Sequence, residues 1–313
     1  MIKRLLLFLF VNFLGITSLV AQQIPQYTQA PFNQFSQNPA LAGIESCFNV
    51  HILYRKQWWG IPQSPSGGFI TLSGQLGTKK RKYLGVKHGL GLKIETDATG
   101  PFVSNKVNFA YAAHFPLTKT LLLSLGAYAG LNNIAFDASK VKSFSPDPTV
   151  QNSRVSYLAP DASFGAWLNN EKFFVGLSAQ QLIPIKYGFG DQAKMRMHFL
   201  FNAGGKVPIG EKNISFLPSV ALQIPPKGPM AINLYALFDF KNIVTTGIGY
   251  RSQESIMFLV RVKFLGYLSL AYSFDLMLNP LKGKGMKQSH EISLVFSTCK
   301  KKKNNASDCP VFE

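Results

Sequence analysis

The 313-residue sequence carries 33 Lys and Arg against 15 Asp and Glu, a formal charge of +18. Only 15% of residues are charged, below the roughly 25% usual in soluble domains, while 46% are hydrophobic and 13% aromatic. That apolar and aromatic content excludes intrinsic disorder, and the scarcity of charge argues against a soluble, charge-rich enzyme surface.

Residues 1–21 read as a secretory signal peptide. Lys3 and Arg4 are its positive start, Leu5 to Leu19 is apolar except for Asn12, Gly15, Thr17 and Ser18, and Ala21 is a small residue for cleavage before Gln22. The run is short for an anchor, which needs roughly 20 apolar residues. No later stretch spans as a helix: 121–131 is too short and contains Ser124, Gly126 and Gly130. An exported chain without a helical span is either soluble or a β-barrel, the other structure that satisfies its backbone within lipid.

Alternation with period two recurs from residue 48 to residue 297. Phe48, Val50, Ile52 and Tyr54 oppose Asn49, His51, Arg55 and Gln57. Leu90, Leu92 and Ile94 oppose Gly89, Gly91, Lys93 and Glu95. Val107, Phe109 and Tyr111 oppose Lys106, Asn108 and His114, and Leu121, Leu123, Leu125 and Leu131 oppose Ser124, Gly126, Gly130 and Asn132. Further on, Phe173, Val175 and Leu177 oppose Phe174, Gly176 and Ser178. Ile256, Phe258, Val260 and Val262 oppose Met257, Leu259, Arg261 and Lys263, and Leu268, Leu270, Tyr272 and Phe274 oppose Ser269, Ala271, Ser273 and Asp275.

Candidate strands fall near 48–58, 68–76, 88–96, 102–115, 120–132, 158–169, 172–182, 198–207, 214–224, 230–240, 243–251, 256–264, 267–276 and 289–297. That is about fourteen, with boundaries good to a few residues and a range of roughly twelve to sixteen. Most have about the 9–11 residues of a tilted spanning strand. The expected fold is all-β, a transmembrane antiparallel outer-membrane β-barrel. A large soluble β-sandwich also alternates, but the length of the runs and their Phe, Leu and Ile faces favour the barrel.

Connection lengths agree. Outer-membrane barrels have short periplasmic turns and longer outer loops. With the N-terminal side in the periplasm, the turns at 116–119, 169–171, 208–213, 241–242 and 265–266 are short, and the outer loops 133–157, 183–197 and 277–288 are long. The segment 77–87 is too long for its side, and 225–229 and 252–255 are short for theirs. The expected organisation is a signal peptide at 1–21, a periplasmic N-terminal segment at 22–47, the transmembrane barrel at 48–297 and a basic periplasmic tail at 298–313. The segment 22–47, rich in Gln, Pro and Phe, is expected to cover the periplasmic opening or to bind a partner.

Several short motifs occur in order along the chain. They are Gln34-Phe35-Ser36-Gln37-Asn38-Pro39-Ala40-Leu41-Ala42-Gly43, Leu53-Tyr54-Arg55-Lys56-Gln57-Trp58, Pro160-Asp161-Ala162-Ser163-Phe164-Gly165, Phe174-Val175-Gly176-Leu177-Ser178, Leu217-Pro218-Ser219-Val220, Tyr272-Ser273-Phe274-Asp275 and Ser289-His290-Glu291-Ile292-Ser293-Leu294. Each is unspecific alone. As an ordered set they resemble the PorP/SprF family of the type IX secretion system of Bacteroidetes, with Asn38, Pro39 and Gly43 in the opening signature. Two features depart from the family pattern: the basic segment at 77–82, and the continuation through Lys300 to Lys303 towards Glu313.

The resemblance implies an outer-membrane barrel that is not an enzyme and that uses no cofactor. It implies support for export or surface attachment of secreted cargo carrying a type IX C-terminal domain, including gliding adhesins. Implied partners are that cargo, periplasmic or outer-membrane machinery proteins, and outer-membrane lipid.

The residues give little sign of catalysis. His51, His88, His114, His198 and His290 are scattered without HxxxH or HExxH spacing, so lumen or interface roles are preferred to metal ligation. Glu95 and Asp97 share a face but sit at an expected strand end, where solvation is the simpler reading. Ser297-Thr298-Cys299-Lys300 matches SxxK only formally, at the head of a basic tail. The basic runs at 79–82 and 300–303 do not indicate nucleic acid in an exported chain, and contacts with acidic periplasmic partners or lipid headgroups are the alternative. Candidate lumen or partner contacts are Arg55, Gln57, Lys93, Arg261, Lys263 and Glu291. Of three Cys, one must be left over: a Cys47–Cys299 bridge would staple the barrel seam, a Cys299–Cys309 bridge would close a tail loop, and neither is expected to be obligatory. An adaptor that binds cargo and a passive diffusion porin remain the two membrane readings.

Overall fold

A computed structural model describes residues 24–77, 85–141, 154–185, 195–210, 213–226, 228–278 and 288–298. The strands are β1 (Asn49–Lys56), β2 (Ser66–Leu76), β3 (Lys87–Thr99), β4 (Phe102–Pro116), β5 (Leu122–Asp137), β6 (Arg154–Asn169), β7 (Phe173–Gln180), β8 (His198–Gly205), β9 (Val207–Ile209), β10 (Ile214–Ile224), β11 (Ala231–Phe240), β12 (Val244–Arg251), β13 (Ser255–Phe264), β14 (Leu268–Met277) and β15 (Ser289–Ser297). β8 and β9 both pair with β10 and form one stave interrupted at Lys206, so the wall has 14 staves. All are antiparallel, and the pairing of β1 with β15 closes the cylinder, Asn49 opposite Ser297 and Arg55 opposite Glu291.

The alternation sets the two faces. On β1, Leu53 and Arg55 are 3% and 4% exposed while Ile52 and Tyr54 are 44% and 54% exposed. A one-residue shift would exchange every such pair, so an apolar outside and a filled inside fix the register. The exposed face carries Leu90, Ile94, Phe109, Leu131, Leu177, Ile248, Phe258 and Ile292. This is the face that a lipid-contacting wall requires. Aromatic and imidazole side chains cluster on its rims: Tyr272 Oη lies 2.7 Å from His290 Nδ1, and Tyr111 Oη 2.7 Å from His88 Nδ1.

The connections differ at the two ends. At one end β6–β7, β11–β12 and β13–β14 turn within a few residues. Two of these turns bend through consecutive left-handed residues, Lys241–Asn242 and Leu265–Gly266, as tight hairpins require. The opposite end carries the connections at 138–153, 181–197 and 278–288, most of which lie outside the described residues. These are termed the short-turn end and the loop end.

Residues 24–44 do not lie across a mouth of the barrel. They run through its lumen as a plug, which corrects the expectation of a segment covering the periplasmic opening. The plug starts at the loop end, where Gln223 Nε2 donates to Ile24 O at 3.4 Å. It ends at the short-turn end, where a His114 ring nitrogen meets Ala42 O at 3.1 Å. It contains three 3-10 turns, η1 (Ala30–Phe32), η2 (Gln34–Ser36) and η3 (Pro39–Leu41). Asn33 Oδ1 accepts from Ser36 N at 3.1 Å and caps η2, and Asn38 Oδ1 accepts from Ala40 N at 3.0 Å and caps η3. Pro39 follows the cap, where its missing N–H costs nothing.

The core therefore lies between plug and wall. Phe32, Phe35, Leu41 and Ile44 of the plug share one apolar cluster with Trp167, Phe174, Leu217 and Leu237 of the wall. Trp167 and Phe174 stack at 4.8 Å and 8°.

Candidate functional site

The plug is seated by features of both partners. Gly43 has φ +61, a conformation that a side chain disfavours, and a Cβ there would fall 2.3 Å from Gly74 O. In return, a Cβ on Gly89 would fall 1.9 Å from Ala42 O. Asn38 is bound to both β6 and β7: its Nδ2 donates to Ala166 O and to Leu177 O, each at 3.0 Å. These two residues face each other across the β6–β7 pair. Asn38, Pro39 and Gly43 are thus the cap, the turn and the close approach that fit the plug to its wall.

Near the loop end, the inside of the wall carries two Arg and two carboxylates, with Glu254 of the β12–β13 turn beside them. Arg55 Nη1 donates to Glu291 Oε1 at 2.7 Å, and Arg55 Nη2 lies 3.3 Å from Asp275 Oδ2. Arg251 Nη1 lies 3.4 Å from the same Asp275 oxygen and 3.3 Å from Glu254 Oε1. Isolated charges at this burial would be costly, and mutual pairing plus hydrogen bonds offsets the desolvation. The plug supplies several of those bonds. Thr28 N donates to Glu291 Oε1 at 2.7 Å and Gln29 N to Glu291 Oε2 at 2.9 Å. The Thr28 hydroxyl donates to Asp275 at 2.8 Å and accepts from Arg251 Nη2 at 3.2 Å. Arg55 also donates to Gln26 O.

A second charged group sits lower on β3 and β4. Lys93 Nζ is 3.1 Å from Glu95 Oε2 and donates to Ser36 O at 2.7 Å, while Lys106 Nζ is 3.9 Å from Glu95. Glu95 is buried, which corrects the reading of a solvated strand end. β3 continues to Thr99, so Glu95 is not terminal.

The remaining candidates are spread along the lumen. Arg261 lies over the Phe32 ring at 4.8 Å, a cation–π arrangement, and donates to Thr245 Oγ1 at 3.3 Å. Lys263 and Arg261 line a cavity of about 150 Å³ at the short-turn end, between plug and wall. Gln57 lines a larger cavity of about 880 Å³ at the loop end, floored by Ile24, Pro25 and Gln26. Cys47 is disulfide-bonded. The chain returns beside it, with Thr298 N donating to Phe48 O at 2.9 Å, but Cys299 itself lies outside the described residues, as do 79–82 and 300–303.

The structure brings Arg55 and Glu291 together. Lys93, Arg261, Lys263 and Gln57 occupy other levels of the lumen. Sequence reasoning missed Arg251, Asp275 and Lys106 as members of charged groups, and it missed Thr28 and Gln29 altogether. Parity along the strands was the available signal: a charged residue on the inward face of a barrel needs an inward partner. Among the described residues no group of His, Cys, Asp and Glu is placed to hold a metal. The arrangement suits holding a polypeptide by its backbone.

Comparison with known proteins places the chain. No curated protein matches it. The structure is similar to the toluene transporter TbuX of Ralstonia pickettii, with a TM-score of 0.50 at 9% identity over 84% of this chain and 92% of that one. It also matches a FadL homologue of Pseudomonas aeruginosa, with a TM-score of 0.46 at 11% identity over 88% and 93% of the two chains. At such identities the likeness concerns the fold, that of an outer-membrane barrel, and the outer membrane is where this chain resides. The family model described as type IX secretion system membrane protein PorP/SprF matches residues 19–296. The chain belongs to the PorP/SprF family of the type IX secretion system.

Proposed function

We propose that the protein is a non-enzymatic component of the type IX system that supports export or surface attachment of particular secreted cargo, by binding that cargo and machinery partners. The observation that carries this reading is the plug: a conduit for free diffusion needs an open lumen, and here residues 24–44 occupy it. The short-turn end is assigned to the periplasm and the loop end to the cell surface, following the usual asymmetry of outer-membrane barrels. Machinery partners then meet the short-turn end with its 150 Å³ cavity, and cargo meets the loop end with its 880 Å³ cavity.

The test is affinity capture of the tagged protein from native outer membranes. Recovery of a secreted protein with a type IX C-terminal domain supports the reading, and recovery of none refutes it. The competing reading is a passive porin. Liposome swelling separates the two: rapid sugar flux through the intact protein supports the porin, and flux near that of empty liposomes supports the adaptor.

A further inference from the structure

The two parts of the plug are held by different physics. The body, 32–44, lies in the main apolar cluster. In the head, 24–29, Tyr27 packs in a separate small cluster with Leu53 and Phe69, edge to face at 4.9 Å. The polar hold on the head falls on both its backbone and its side chains. Gln223 donates to the carbonyl of Ile24 and Arg55 to that of Gln26, and the Glu291 carboxylate receives the N–H groups of Thr28 and Gln29. Two head side chains, those of Thr28 and Gln29, are also held beside Glu291. The Thr28 hydroxyl sits between Asp275 and Arg251. The Gln29 amide accepts from Ser293 Oγ at 2.5 Å and donates to Glu291 O at 3.1 Å.

We infer that Arg55, Arg251, Asp275 and Glu291 form a binding site for an extended polypeptide segment, and that the plug head is its resident, self-supplied ligand. The ligand class is a stretch of secreted polypeptide, read through its backbone, with a hydroxyl residue followed by an amide residue preferred. This rests on the cargo-binding reading above. Emptying the site would strip Glu291 and Asp275 of three donors, and a buried acceptor left unmet is costly. An incoming segment that offers the same donors removes that cost, so the head leaves by exchange rather than by opening. The 880 Å³ cavity beside it gives the incoming chain room, with Trp58, Met195, Met230 and Met277 among its lining. Flexible Met side chains suit a surface that accepts varied sequences. The body stays in its apolar seat during the exchange.

The experiment uses the full chain in detergent and a fluorescent peptide with the sequence of residues 24–31. Thr28→Ala/Gln29→Ala weakens the resident head and leaves the wall unchanged. The peptide is expected to bind this variant at least tenfold more tightly than the wild type. A peptide with Ala at the Thr and Gln positions is expected to lose at least tenfold, and adding Glu291→Gln to the variant is expected to abolish binding. Equal affinity for wild type and variant, indifference to Glu291→Gln, or no binding to a variant that keeps the heat-modifiable mobility of a closed barrel overturns the inference. Should the variant not fold, a photoreactive form of the peptide is applied to the wild type: cross-links on β15 or β14 support the site, and cross-links elsewhere or none refute it. Capture of cargo without peptide binding sinks this inference alone. Peptide binding without captured cargo sinks the cargo reading and leaves the peptide site standing.

Discussion

Glu291 is buried, pairs with Arg55 and accepts two successive backbone N–H groups from the plug. Removing one partner of a buried ion pair strands the other charge, and such losses run to about 3–5 kcal/mol. Glu291→Ala is therefore expected to lower stability by about that amount, measured by urea unfolding in detergent, and Glu291→Gln by less because it keeps an acceptor. Gly89 is constrained by space. A Cβ there would fall 1.9 Å from Ala42 O, a backbone atom that cannot swing away. Gly89→Val is expected to cost about 3 kcal/mol or to expel the end of the plug. Loss of folded protein on an unheated gel, or new protease cleavage near residue 42, reports it.

At the scale of elements, the staves were legible and the plug was not. The readings at 214–224 and 289–297 coincide with β10 and β15, and the others differ by a few residues at their ends. Period-two alternation survives because each inward residue has a packed lumen and each outward residue an apolar face, so the pattern is imposed along the whole stave. The plug has no period. Its short turns take their partners from β2, β3, β4, β5, β6, β7 and β13, and nothing local encodes such contacts. Two local signs were present, the Asn-Pro step at Asn38-Pro39 and the left-handed Gly43, but neither states what the turn packs against. Glu95 was misread because the expected end of its strand fell short of Thr99. The buried plug carries its own prediction. Most amides across 28–41 are bonded to Glu291, to the Asn33 or Asn38 side chain or within the 3-10 turns. They are expected to exchange hydrogen at least about 100-fold more slowly than an unstructured chain, approaching the protection of the staves. Mass-spectrometric exchange on the detergent-solubilised protein reads this directly, and a segment lying outside the lumen would exchange freely.

For the whole molecule, two surfaces carry opposite demands. The exterior must stay apolar: Phe109 is 65% exposed in the middle of β4. Phe109→Arg is expected to cost about 2–4 kcal/mol when folding is measured into lipid vesicles, the range for an arginine at the bilayer midplane. The interior must stay matched to a polypeptide, and an enlarged solute flux in Glu291→Ala relative to wild type would mark a loosened head. The path of the chain adds a constraint on biogenesis. Residues near 28 are translated before any stave, yet the carboxylate that grips them arrives on the final one, which also completes the ring against β1. Residues 28 and 29 are therefore expected to reach their carboxylate as that last pairing forms, which ties the first part of the lumen to be translated to the last part of the wall.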